Sequence, residues 1–188
     1  MTPVINDSTR LKMLEWKEGI LDVVLDTDAA TEVDDPFAIS YLLLSPERFR
    51  VKAMYAAPFS MNDRAQDPET GMEMSYREIR NISKLCHKES VCDIKKGSAS
   101  YLTDKQLPVP SAAAADLAER AMLYSPENPL YVVGIGAGTN IASALLRKPE
   151  IAARIVVVWL AGNDFDLSPD VYNIYQDVLA AQVIFDSG

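Results

Sequence analysis

The chain has 188 residues, 48% apolar and 24% charged, with 18 basic against 27 acidic residues and a net charge of −9. That length supports about one domain with its own core, and the composition is that of an ordinary soluble globular protein. The acidic balance excludes a broad nucleic-acid or anionic-membrane footprint, because such partners need a basic face, and no apolar run approaches the roughly 20 residues of a membrane span.

In chain order, the opening MTPVINDSTRLKMLEWKEG has no basic segment followed by an apolar one, so no signal peptide is expected. Ile20 to Leu25 is short, continuous and apolar, which reads as a strand buried on both faces. A helical pattern follows from Pro36 to Leu44, with Asp35-Pro36 suited to a cap and a first-turn proline. Val51 to Ala56 reads as a second strand. The polar stretch from Pro58 to Gly71, which contains Pro68, reads as a mobile loop. Thr70 and Glu73 have capping-box spacing before a helix over Met72 to Leu85, where Met72, Tyr76, Ile79 and Ile82 recur at helical intervals.

Val91 to Ile94 is a weak strand candidate beside Cys86 and Cys92. These two cysteines are too close to frame a fold and lack zinc-ligand spacing, so they read as reduced thiols of a cytoplasmic protein. Helix Ala112 to Tyr124, strand Leu130 to Ile135, helix Asn140 to Leu146, strand Ile155 to Leu160 and helix Asp177 to Phe185 complete the pattern. Such alternation predicts an α/β fold over a single domain, 1–188, with an open, mostly parallel sheet and helices on both faces. The sequence stops at Ser187-Gly188, where a doubly wound sheet usually adds another strand. A C-terminally incomplete fold is therefore expected, with an unpaired edge, apolar surface and a tendency to form homo-oligomers.

The junction VVLDTDAATEVDD gathers five carboxylates in ten residues, Asp26 to Asp35, directly after the first strand. In open α/β sheets, ligands bind beyond the carboxyl ends of strands. Carboxylates this close repel unless some are protonated, hydrogen-bonded or metal-bound. A hard cation, calcium or magnesium, satisfies them most simply, and the lack of histidine or cysteine nearby argues against zinc. The plain alternative is one helix cap among solvated turn residues, although a cap needs a single carboxylate. An EF-hand fails, with Thr31 where glycine is required and Phe37 where glutamate is required.

The cluster resembles the calcium-binding signature of the inosine-uridine-type nucleoside hydrolases, D-T-D-P-G-x-D-D. Here it is D-T-D-A-A-T-E-V-D-D-P-F-A-I, a loop two residues longer that lacks Pro-Gly. Gly134-Ile135-Gly136-Ala137-Gly138-Thr139-Asn140-Ile141-Ala142 resembles the family's A-T-G-x-L-T-N-I-A. Tyr172-Asn173-Ile174-Tyr175-Gln176-Asp177, followed by Ala180-Ala181, resembles its E-F-N-I-Y-x-D-P-E-A-A. The resemblance covers nearly the whole chain but about the first three-fifths of a typical family member.

It implies a Rossmann-like fold and hydrolysis of the N-glycosidic bond of ribonucleosides to ribose and free base by a calcium-bound water, in purine or pyrimidine salvage. Asp28 would ligate calcium and serve as general base, with Asp35 and the carbonyl of Ile135 as further ligands. Asp34 and Asn173 would hold ribose hydroxyls, while Asp26 braces the loop through backbone hydrogen bonds. Val171 stands where the family has glutamate, and Asn163 is a candidate replacement for part of that contact. The family's asparagine after its second strand has no clear match at Ala57-Pro58, and Asn62 is a weak substitute. Its C-terminal aspartate and histidine have no counterpart, since the one histidine, His87, sits at a helix end and reads as a surface residue.

Two alternatives stay open. One is an inactive family remnant acting as a binding module. The other is a magnesium-dependent phosphatase of the haloacid dehalogenase type, with Asp26 as nucleophile in D-T-D and Gly162 to Asp166 as a later acidic motif, against which Ala30 stands at the expected Thr/Val position.

Overall fold

Four apolar runs and one weaker one become strands because β-branched side chains fit a pleated surface buried on both sides. The computed structural model describes residues 5–60, 62–164 and 171–188. Its strands are β1 (Leu21–Thr27), β2 (Phe49–Ala56), β3 (Asp93–Lys96), β4 (Leu130–Gly134) and β5 (Ile155–Trp159), and its helices α1 (Asp7–Leu14), α2 (Asp34–Leu44), α3 (Pro68–Leu85), α4 (Ala112–Ala121), α5 (Thr139–Arg147), α6 (Tyr172–Gln176) and α7 (Val178–Asp186). A 3₁₀ turn, Pro149–Ala153, precedes β5.

The sheet is wholly parallel, in the order β3-β2-β1-β4-β5. Helices cover both faces, α4, α5 and α7 on one and α2 and α3 on the other. Neighbouring residues of β1 serve opposite cores: Val24 packs with Leu117, Leu130 and Ile141, whereas Val23 and Leu25 pack with Ile39 and Ile79. In β2 that alternation breaks. Val23 pairs with Val51 but Val24 pairs with Ala53, so Lys52 is an extra residue, a bulge that restores the facing of Met54, Tyr55 and Ala56.

Several expectations change. α3 starts at Pro68, capped by Asp67, whose Oδ1 accepts from the N–H of Thr70 at 2.8 Å; Thr70 lies inside the helix, so it does not form the expected capping box. α2 begins at Asp34 after Val33, which makes no side-chain cap bond, and the Asp35 carboxylate is bound by Thr27 instead of capping. Where a mobile loop is expected between Pro58 and Gly71, Ser60, Asn62 and Arg64 are hydrogen-bonded to Gln176, Tyr172 and the Ala30 carbonyl. His87 is exposed at a positive φ of 55°, just past α3. No helix among the described residues is long and apolar enough to cross a membrane.

Candidate active site

Strand order places the site. The chain leaves β1 toward β2 on one side while β4 lies on the other, so the crevice beyond β1 and β4 is a topological switch point, where α/β proteins bind ligands. Asp28 follows the last residue of β1, and Ile135 follows the last residue of β4. Gly136 permits this closeness, because a Cβ there would come within 3.0 Å of both Asp28 Cγ and Asp28 N. A cleft of about 270 Å³ results, and Asp28, Asp34, Asp35, Ile135, Asn163 and Asn173 all line it.

Asp28 is 2% exposed, and its Oδ2 has no hydrogen-bond partner among the described residues. Its main-chain oxygen accepts from the Thr31 N–H at 2.8 Å, which folds the loop into a turn and sets the buried Thr31 hydroxyl beside the carboxylate, whose charge it favours. Burial, reinforced by the negative charge of Asp35, pushes the Asp28 carboxyl up to about 8. Asp35 accepts from Thr27 Oγ1, yet burial still raises it to about 6. Asp34 is exposed at the cleft mouth.

Asp26 is 1% exposed and raised by burial to about 7. It braces the site through a side chain and not, as expected, through backbone: Asn140 Nδ2 donates to its Oδ1 at 2.8 Å. Asn140 also donates to the Ala56 carbonyl and accepts from the Ser98 N–H and hydroxyl, joining β1, β2, α5 and the segment after β3. Gly97 makes room for it, since a Cβ would lie 1.9 Å from the Ala56 oxygen and 2.5 Å from Asn140 Nδ2. Asp26 is thus enclosed by this network. Phe165 and Asp166 of the later acidic motif lie outside the described residues.

Asn173 is on α6, and its Nδ2 donates to the carbonyls of Ile135 at 3.1 Å and Leu160 at 3.0 Å, leaving Oδ1 as its remaining polar atom. The Ile135 oxygen therefore already has one partner and keeps one lone pair. Asn163 is exposed and lines the cleft. Asn62 forms a turn instead, its Oδ1 accepting from the N–H groups of Arg64 and Ala65.

Among the described residues no three His, Cys, Asp or Glu side chains converge as a metal cage. The donors present are Asp28, Asp35, the Ile135 carbonyl and the Thr31 hydroxyl. All are oxygens, one of them an orphaned buried carboxylate oxygen. That set fits a hard divalent cation completed by water, which would restore to the buried acids the charge that burial opposes.

The inosine-uridine preferring nucleoside hydrolase model matches residues 23–188. A pyrimidine-specific ribonucleoside hydrolase, RihA, from Citrobacter koseri is 31% identical over 89% of this chain and 57% of its own length. Among solved structures, a purine-preferring ribonucleoside hydrolase from Gardnerella vaginalis superposes with a TM-score of 0.67 at 25% identity, over 88% of this chain and 58% of that one. A plant nucleoside hydrolase, PpNRh1, gives 0.65 at 21% identity, over 89% and 57%. The chain thus spans less than three-fifths of the length of these relatives.

Proposed function

Because the chain belongs to the inosine-uridine preferring nucleoside hydrolase family, we propose that it hydrolyses the N-glycosidic bond of a ribonucleoside, giving ribose and a free base. The observation that supports this most is the shared cleft: Asp28, Asp34, Asp35, Ile135 and Asn173, from three separate sequence segments, line it together, with Asn163 beside them. Asp28, Asp35 and the Ile135 carbonyl would hold calcium. When bound, such an ion orients water and lowers its pKa.

The remaining chemistry belongs to the protein. Asp28 accepts the proton of the attacking water, a role that needs its ionised form; burial pushes the carboxyl up to about 8 without a cation, and a bound divalent ion would favour the charged base. Asp34, Asn173 and Asn163 hold ribose hydroxyls. The acidic walls favour the positive charge that develops on the sugar ring as the bond to the base breaks. This reading assigns the chain to nucleoside salvage in the cytoplasm, with a small-molecule nucleoside as its partner. The names of the relatives divide between pyrimidine and purine preference, so both base classes belong in the test.

Ribose release from inosine and from uridine, with and without calcium, tests the proposal. Turnover that needs the ion and falls by roughly 10³-fold or more in Asp28→Ala is the expected result. A second reading, a binding module with the family fold, draws on the short donor set in the cleft. Absence of turnover at high enzyme concentration, with nucleoside binding retained, would establish that reading instead.

A further inference from the structure

α6 carries Asn173 into the cleft, but nothing local holds it there. It has five residues, and Val171 at its start makes no side-chain cap bond. So short a helix is not stable alone, and its position must come from tertiary contacts. Three of them converge on Ser60, just beyond β2. The Ser60 N–H donates to Gln176 Oε1 at 3.1 Å, and the Ser60 carbonyl accepts from Gln176 Nε2 at 3.3 Å and from the Tyr172 hydroxyl at 3.0 Å. The Ser60 hydroxyl pairs with that of Tyr101 at 2.9 Å, and Tyr101 donates to Gln176 Oε1. Asn62 Nδ2 donates to the Tyr172 hydroxyl at 2.9 Å.

The same segment reaches the acidic loop, where Arg64 Nη1 donates to the Ala30 carbonyl at 2.6 Å. Ser60 and Asn62 on one side and Arg64 on the other thus link the helix bearing Asn173 to the loop bearing Asp28. Gln176 is 3% exposed and does not line the cleft.

We propose that Gln176 and Tyr172, through Ser60, are positioning residues that set Asn173 against the Ile135 carbonyl and so fix the sugar-binding wall relative to Asp28. The kinetic consequence rests on the hydrolase reading; the positioning does not. Tyr172→Phe removes only a hydroxyl already engaged twice within the protein, and Gln176→Leu removes an amide that no substrate in the cleft touches. Each variant is expected to raise KM for the nucleoside about 5–20-fold while kcat changes less than twofold. The double variant should be much less than the product of the two, as for residues acting through one shared partner.

Hydrogen exchange of the Asn173 side-chain amide, followed by nitrogen-edited NMR, supplies a readout independent of turnover. It should quicken at least tenfold in both variants, while calcium affinity stays within twofold of wild type. Unchanged exchange in folded Tyr172→Phe and Gln176→Leu would overturn the proposal. If wild type releases no ribose, the hydrolase reading fails while the exchange experiment still decides the positioning. Equal loss of calcium affinity, melting temperature and KM would show a structural role only and would also overturn it.

Discussion

Asp28 concentrates the energetics of the site in one side chain. Its carboxyl is buried, one oxygen has no hydrogen-bond partner among the described residues, and burial pushes it up to about 8, with Asp26 raised to about 7 and Asp35 to about 6. All three folded values exceed the unfolded value of about 4, so between pH about 4 and 8 the folded chain binds more protons than the unfolded chain. Without a cation, stability should therefore fall as pH rises through that window. A bound divalent ion favours the charged carboxylates and opposes the trend. Thermal melts are expected to show a larger gain from calcium at pH 8 than at pH 5; equal gains would contradict the assigned ligands. Asn140 permits a second test at this scale. Asn140→Ala strips partners from Asp26, Ala56 and Ser98 together, and urea unfolding should reveal a loss of roughly 3 kcal/mol or more. A loss below about 1 kcal/mol would mean that the network is not needed.

Elements differ in how far local sequence specifies them. β1, β2, β4 and β5 were legible within two residues because short, mostly apolar runs bounded by polar stretches admit few other uses. α3 was legible from its periodicity, but its start was not: Thr70 and Glu73 resemble a capping box, whereas Asp67 ahead of Pro68 makes the cap. α1 and α6 were missed because α1 lacks a clear apolar stripe and α6 is too short to show a period. The site followed the same division. Asp28 and Ile135 follow strand ends and Asp35 stands in the first turn of α2, positions that the strand and helix patterns locate. Asn140, Ser98, Gln176 and Ser60 act on residues 42 to 116 positions away, and no local pattern reports such pairings. Gly97 makes the point testable. A Cβ there would meet backbone, the Ala56 oxygen at 1.9 Å, so Gly97→Ala should destabilise by roughly 1–3 kcal/mol by forcing β2 and the Asn140 network apart. Wild-type stability in that variant would contradict the close approach.

At the scale of the whole chain, β5 pairs only with β4 among the described strands. Val158, Leu160 and Phe185 are exposed near this edge, and the strand, Ile155–Trp159, carries no charge. Open apolar edges promote pairing between chains, so this chain is expected to self-associate, and Val158→Lys should shift it toward monomer in sedimentation velocity. A monodisperse wild-type monomer at high concentration would count against that expectation. The fold is family-wide, but the donor set in the cleft decides whether this chain can do the family's chemistry. Calorimetric titration of calcium into the purified chain tests that claim most directly. The account predicts a saturable site with one ion per chain, lost in both Asp28→Ala and Asp35→Ala. Absence of binding in wild type, or binding that survives both substitutions, would contradict it.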